Sequence, residues 1–539
     1  MSGSISQPTS SPSPTTSWSS RFQEFENGLV LVGIFFAILM GSMDALVVST
    51  VLPTIASDLH QVDGVAFVVS GYLVSATIAI PIFSRLSDIS SRRNVFLVGL
   101  AIFIAGSALA GLSQNLTELI LFRSLQGFGG GGIFPVAIAM VAVSFPPEVR
   151  TRAIGALSAS SGLAIVAGPL LGSYIVTVTT WRWVFYINLP FGLFAMAVVA
   201  LAVGPLRATA KDRFDLPGAA LVTGWVGTLM VALVQVSDSG WLWSDPRIIA
   251  LLGSTVVLLA LFVWWELRVP APLIPLRTLR RGAIAAANGI LGFTGVVFSA
   301  LITFLSLYVG VVLAQSTGDI RDMIYFFAVP MILGAGLTGA LLNRVSYRAL
   351  IVPGLAVSAV SALFLAGLTA TTPLWILSYG FVLTGGIALP LIPLGFGLGL
   401  ALAGSTIAVQ NEAPAAMVGA SVGLAKFSQT LAGAIGVSAL SIYQVWSYAQ
   451  LSRGATAPVA LRSALIGSYH GVFLILALCV VAAWLCAFGL TGRVPVGRPA
   501  TAAAASADSP GRTRALPRPS EEPHGPESAF PPDVPTPGR

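Results

Sequence analysis

Asp44 is the one ionisable group in an apolar run from about Gly28 to Ala56, where it sits in the stretch GSMDALVVSTVLP. A charge at mid-membrane depth costs on the order of 2.5 to 3.5 kcal/mol on insertion scales, so such a group faces a cavity or a partner. The chemistry open to a carboxylate there is uptake and release of a proton, because burial favours its neutral form and a nearby cation its charged form. A cation is available in the fourth apolar run, LILFRSLQGFGGGG, as Arg123. With a rise of about 1.5 Å per residue, Asp44 lies roughly 9 to 15 Å below the outer end of an outward-running first helix. By the same rise, Arg123 lies about 9 Å below that surface on an inward-running fourth helix. The depths overlap, so the two are expected to face a common interior cavity and to bias each other's proton affinity. A fixed pair between helices, without a coupling role, is the alternative on these residues alone.

Such a pair needs membrane helices to hold it. The 539 residues are 55% hydrophobic and 9% charged, where ordinary soluble domains carry roughly a quarter charged residues. Apolar runs recur from Gly28 to Gly492, each long enough to cross a hydrocarbon core of about 30 Å. Helices are expected at 28–54, 65–84, 95–113, 117–143, 154–177, 184–204, 216–236, 248–267, 283–314, 323–342, 349–370, 374–408, 419–446 and 469–492, fourteen in all. Residues 1–27 are Ser/Thr/Pro-rich at their start, lack the basic segment of a secretory signal and read as a disordered leader. Residues 493–539 read as a disordered cytoplasmic tail, too poor in large apolar groups to form a core.

Charge placement orients the chain, because Lys and Arg accumulate in short cytoplasmic loops. With both termini inside, the even-numbered connections hold fourteen Lys and Arg, among them Arg85, Arg92, Arg93, Arg150, Arg152, Arg277 and Arg344, and the opposite ones only Arg182, Arg247, Arg321, Arg453 and Arg462. The net charge of +7 therefore reports topology rather than nucleic-acid binding. The loop after the second helix, SRLSDISSRR (Ser84 to Arg93), also matches the loop after the tenth, GALLNRVSYR (Gly339 to Arg348), at Leu86/Leu341, Ser91/Ser346 and Arg93/Arg348, with Asp88 against Asn343. Each copy follows the second helix of a six-helix block if helices seven and eight are an inserted pair. The expected architecture is an all-α polytopic membrane protein with a six-helix bundle at 28–204, an inserted helix pair and basic connector at 205–282, and a second six-helix bundle at 283–492.

Several stretches in this order resemble the major facilitator superfamily, and within it the fourteen-helix drug:proton antiporters. MDALVVSTVLP is similar to the intramembrane-acid signature of that group through Asp44 and Pro53. SRLSDISSRR resembles the loop motif G-x-L-a-D-r-x-G-r-k through Leu86, Asp88, Arg92 and Arg93, with Ser84 and Ser91 at the glycine positions. The fourth helix matches R-x-x-q-G through Arg123, Gln126 and Gly127, and the fifth, AIVAGPLLGS, resembles the antiporter motif through Gly168, Pro169 and Gly172. WRWVFYINLPFG, AVQNEAP and KFSQTLAGAIGV are also similar to subfamily sequence, with Gln429 where an arginine is common.

The resemblance implies a secondary transporter rather than an enzyme, with protons as the coupling ion, no other cofactor and no metal. Asp44 and Arg123 are then the expected proton-coupling pair. Asp88, Arg92 and Arg93 form a cytoplasmic charge lock, and Gly168, Pro169 and Gly172 a bending or sealing element. Tyr72, Gln126, Asn288 and Tyr308 are polar or amphipathic groups on interior helices and are expected to line the substrate cavity. Lys426 is a second intramembrane cation, with Glu412 as a candidate partner. A largely apolar cavity with one carboxylate favours apolar or cationic amphipathic cargo, and a lipid or endogenous secondary metabolite is the alternative.

An enzyme would need clustered nucleophiles, metal ligands or paired acids, and His60, His470 and His524 are read as scattered in loops and tail. Cys479 and Cys486 share one apolar run and imply neither a disulfide nor a metal site. Small-molecule cargo and the bilayer are the expected partners, and a monomer the expected state. Arginine outnumbers lysine 26 to 2, which suggests a GC-rich genome and a bacterial inner membrane.

Overall fold

The computed structural model describes residues 16–60, 67–145, 147–204, 212–238, 243–312, 317–342, 344–366, 380–454 and 456–490. In hydrocarbon every backbone N–H and C=O must be bonded within the chain, and a helix does this along its own length. The described residues accordingly form α1 (Thr16–Asp58), α2 (Phe67–Ile89), α3 (Arg92–Leu112), α4 (Leu116–Ser144), α5 (Pro147–Val178), a single turn α6 (Trp183–Tyr186), α7 (Asn188–Ala202), α8 (Leu216–Asp238) and α9 (Pro246–Glu266). They continue with α10 (Gly282–Leu307), α11 (Thr317–Leu341), α12 (Tyr347–Ala366), α13 (Gly380–Glu412), α14 (Val418–Leu451) and α15 (Pro458–Ala487).

Among the described residues thirteen helical spans are long and apolar enough to cross a membrane, which makes this an all-α, multi-pass membrane protein. The remaining long helix, α14, is diluted by Lys426, Gln429, Thr430, Tyr443 and Gln444 and is not one of the thirteen.

Several boundaries differ from expectation. Helix α1 starts at Thr16, well inside the segment read as a leader, because extending a formed helix is far easier than nucleating one. The sixth expected helix is interrupted at Ile187, between α6 and α7. Helix α15 begins at Pro458, a residue suited to the first helical turn, ahead of the expected start at 469, and so includes Arg462, expected in a loop. The expected crossing at 374–408 is α13, and its first residues lie outside those described.

Helix α4 packs along α2 and α3, and α1 along α5 and α7. In the second half α10 packs on α14 and α15, α11 on α13, and α12 on α13 and α15. Helices α8 and α9 pair with each other, and α8 leans on α2. The two sets meet where α5 packs on α11 and where α14 packs on α2 and α4. The glycine run of α4 serves close packing: a Cβ on Gly127 would stand 2.3 Å from the carbonyl oxygen of Tyr72, and one on Gly131 2.1 Å from that of Ala76.

Beyond the apolar part of α1, Asp58 accepts hydrogen bonds from Trp181 Nε1 (2.8 Å) and Arg182 Nη1 (3.0 Å). These bonds, that from Trp181 foremost, hold its carboxyl below the ordinary carboxylate range. A depressed carboxyl contributes stability that is present above its unfolded pKa, about 4, and lost as pH falls through the lower folded value. The Trp181 contact is therefore expected to persist from pH 7 to pH 5. Fluorescence of a variant retaining Trp181 as its sole tryptophan checks this, and a spectral shift already at pH 6 would contradict it.

Candidate functional site

The apolar helices bury a compact polar cluster around Asp44, which is 2% exposed. Arg123, 0% exposed, forms an ion pair with Asp44 Oδ2 through Nη1. The other oxygen, Oδ1, accepts from Gln126 Nε2 (2.9 Å) and from Asn188 Nδ2 (2.8 Å). Both amides also donate to Ser107 Oγ at 3.0 Å, and Ser107 donates to the carbonyl of Phe185 at 2.9 Å. Arg123 Nη1 reaches Gln126 Oε1 at 2.7 Å and its Nε reaches the Val68 carbonyl at 3.3 Å. The ring of Tyr72 lies 4.3 Å from the guanidinium carbon, and its hydroxyl donates to the Gly41 carbonyl at 3.1 Å.

These contacts join α1, α2, α3, α4, α6 and α7 around one carboxylate. A buried ion pair tolerates desolvation only when further hydrogen bonds satisfy the charges, and here two amides do so on the acid side. Arg123 Nη2 is buried without a hydrogen-bond partner among the described residues. Addition of a proton to Asp44 would cancel the ion pair and leave the guanidinium uncompensated.

The structure thus brings together Asp44, Arg123, Gln126 and Tyr72. Asp44 and Arg123 are in direct contact and both buried, the pairing named above as the alternative to a shared cavity. Asn288 and Tyr308 lie in other neighbourhoods. The amide of Asn288 donates to Ile284 of its own helix (2.9 Å) and its Oδ1 meets Ser428 Oγ at 3.4 Å. Tyr308 packs in an aromatic group with Tyr469 and Phe473, both at 5.7 Å between ring centroids. Asn188 and Ser107 were missed as candidates. An amide inside the apolar block WRWVFYINLPFG was the available signal for Asn188, and a lone serine offered none.

The loop motif makes a second cluster. Asp88 accepts from Arg92 Nη2 (3.1 Å) and from the backbone N–H groups of Gly419 (2.9 Å) and Ala420 (2.7 Å) in the first turn of α14. Asp88 thereby neutralises the positive end of α14 as well as an arginine. Ser84 touches the same helix, since a Cβ on Gly423 would fall 2.1 Å from its Oγ. Arg92 is buried rather than solvated, and Arg93 is not part of this contact, because it donates to the Ala200 carbonyl at the end of α7. Arg85 pairs with Asp212 at 2.9 Å, ahead of α8. On α5, a Cβ on Gly168 would stand 2.9 Å from Leu46 Cβ and one on Gly172 2.3 Å from Thr50 Oγ1, so both face α1; the Pro169 side chain lies outside the described residues.

Lys426 pairs with no carboxylate among the described residues. Its Nζ donates to Gln429 Oε1 at 3.0 Å and lies 4.9 Å from the centroid of the Phe134 ring. The expected pair with Glu412 is not formed among the described residues; the Glu412 backbone carbonyl accepts from Arg281 at 2.7 Å. Among the described residues no group of three or more His, Cys, Asp or Glu side chains is placed to hold a metal ion, and Cys479 and Cys486 are free thiols.

A multi-pass helical protein whose interior acid is held by one cation and two amides, and whose halves meet through a helix-end contact, has the make-up of a membrane transporter. The chain belongs to the Major Facilitator Superfamily, whose signature matches residues 32–437. It is 29% identical over 412 residues to the multidrug transporter protein MdtP of Bacillus subtilis, covering 76% of this chain and 74% of that one. It is also 29% identical over 414 residues to the tetracenomycin C resistance and export protein of Streptomyces glaucescens, covering 76% and 75%. The fold is similar to that of the human organic anion transporter TETRAN, with a TM-score of 0.55, 15% identity, and coverage of 85% of this chain and 99% of that one. Membership makes the chain a secondary transporter of small molecules and not an enzyme.

Proposed function

We propose that this protein is a proton-coupled exporter of amphipathic small molecules in a bacterial cell membrane, a multidrug efflux pump of the fourteen-helix antiporter group working by alternating access. Counting α14 as a crossing gives fourteen passes with both termini cytoplasmic. The two six-helix units, 28–204 and 283–492, rock about the cargo, while 205–282 is an insert. The pump acts as a monomer, with the bilayer and its cargo as partners, protons as coupling ion and no nucleic acid.

The observation that carries the reading is the sealed Asp44 network, in which Oδ2 is held by Arg123 and Oδ1 by Gln126 and Asn188. Protonation from outside discharges Asp44, frees Arg123 to shift toward the Tyr72 ring, and loosens the helices that the carboxylate ties together. The Asp88 contact with α14 then opens, exposing the cargo site inward. Binding of cargo and loss of the proton to the cytoplasm restore the closed latch. The similarity to the Bacillus subtilis and Streptomyces glaucescens proteins supports export. The second of these, named for tetracenomycin C, favours an alternative in which the cargo is an endogenous secondary metabolite.

The test uses inverted vesicles containing the protein and a panel of cationic, neutral and anionic amphipathic dyes. Acidifying the lumen is expected to drive accumulation of at least one dye, and a protonophore to abolish it. No accumulation of any dye under the gradient would overturn the reading.

A further inference from the structure

Among the described residues, Lys426 is an intramembrane cation that the Asp44 network leaves without a counter-charge. Asp44 and Arg123 cancel, whereas Lys426 meets only the neutral amide of Gln429 and the face of Phe134. Helix α14 packs against α2, α4, α8, α10, α13 and α15, and the half-buried Lys426 side chain reaches Phe134 of α4 across one of these contacts. It stands about 10 Å along the helix from the Gly419 and Ala420 amides, at a rise of 1.5 Å per residue, which is too deep for its ammonium to be treated as a loop charge. Phe134 comes from α4, the helix that also carries Arg123 and Gln126, and it brings an aromatic face to the ammonium. An ammonium in a low-dielectric interior without a counter-charge is costly, and an anion arriving beside it removes that cost. A ring next to the cation offers the apolar part of the same molecule a surface to stack on.

From this geometry we propose that Lys426 is the counter-ion for an acidic group on the cargo, with Phe134 against its apolar body, so that the preferred substrates are amphipathic organic monoanions such as aromatic carboxylates, sulfonates or phenolates. This deepens the export reading, on which it rests for placing the site on the transport path, and it replaces the expectation of cationic cargo, because the only intramembrane acid of the Asp44 cluster already has its own cation.

The test is equilibrium binding to the full-length protein in nanodiscs, with a matched pair of fluorescent probes: anionic 8-anilinonaphthalene-1-sulfonate and the neutral parent N-phenyl-1-naphthylamine, with ethidium as the cation. Wild type is expected to bind the sulfonate about 10-fold or more tightly than does Lys426→Gln. Lys426→Arg should stay within a few-fold of wild type, and the neutral probe should bind all three alike. Equal sulfonate affinity in wild type and Lys426→Gln, no saturable sulfonate binding in wild type, or tighter binding of ethidium than of the sulfonate would each overturn the proposal. A parallel loss of the neutral probe in Lys426→Gln would also overturn it, because it would mark a structural role. The export reading is judged separately by the acid-driven vesicle assay. Gradient-driven accumulation of neutral or cationic dyes without charge discrimination in binding leaves export standing and removes the anion site. Discrimination without gradient-driven flux does the reverse.

Discussion

Replacing Asp44 with asparagine is expected to lower acid-driven transport by two orders of magnitude or more while leaving cargo affinity within a few-fold. Asparagine fills the same volume and still offers an oxygen to Gln126 and Asn188, which now donate to Oδ1 at 2.9 and 2.8 Å. It cannot take up a proton, and it strips Arg123 of its counter-charge in a site that is 0% exposed. Breaking a buried ion pair from one side costs about 3 to 5 kcal/mol. Asp44→Asn should therefore also melt at a lower temperature. In Asp44→Asn combined with Arg123→Gln the stranded guanidinium is gone, so thermal stability should recover while transport does not. Uptake into inverted vesicles and melting of the detergent-purified variants measure the two effects. Full acid-driven transport by the single variant would remove Asp44 from coupling. Equal melting of single and double variants would show that the pair is not the electrostatic unit described above.

The second large effect is on folding. In Gly131→Val the new Cβ would lie 2.1 Å from the Ala76 carbonyl oxygen and 2.8 Å from its carbon, both backbone atoms that cannot rotate aside. Helices α2 and α4 would have to separate by more than an ångström along the contact that also positions Tyr72 and Arg123. Overpacking of this kind costs about 1 to 3 kcal/mol or more, and here it acts on backbone at a crossing shared by the polar cluster. Loss of the monodisperse peak on size-exclusion chromatography is expected. Gly336→Val on α11, with nothing within 4 Å of the added Cβ, is the matched control and should elute as wild type. Equal behaviour of the two would mean that the α2–α4 approach is not needed for the fold.

Asp44 and Arg123 were legible because a charge in an apolar run is conspicuous and helix rise gives its depth. Gln126, three residues beyond Arg123, shares its helix face. Whether the two charges touch or overlook a cavity stayed open between two readings, since depth says nothing about rotation about the helix axis. Asp88 was recognisable as a motif residue, but its partners are amide N–H groups of α14, and every non-proline residue carries one of those. Arg93 shows the opposite limit: it was grouped with Asp88 and Arg92 through the loop motif, yet at the start of α3 one residue is about 100° of helix rotation, enough to send it to Ala200 instead. The helix pattern itself was read well where hydropathy is uniform. It failed at the start of α15, where Arg462 interrupts the apolar run without ending the helix.

The carboxylate of Asp44 is bonded by groups from α4 and α7, and those groups are bonded in turn to α3. Helices bolted through one atom pair cannot slide past each other without breaking several bonds at once. While Asp44 stays ionised this part of the protein should behave as a stiff block, so that thermal fluctuations are pushed to the seams with α11 and α14. Discharge of that single acid would then soften a whole block in one step.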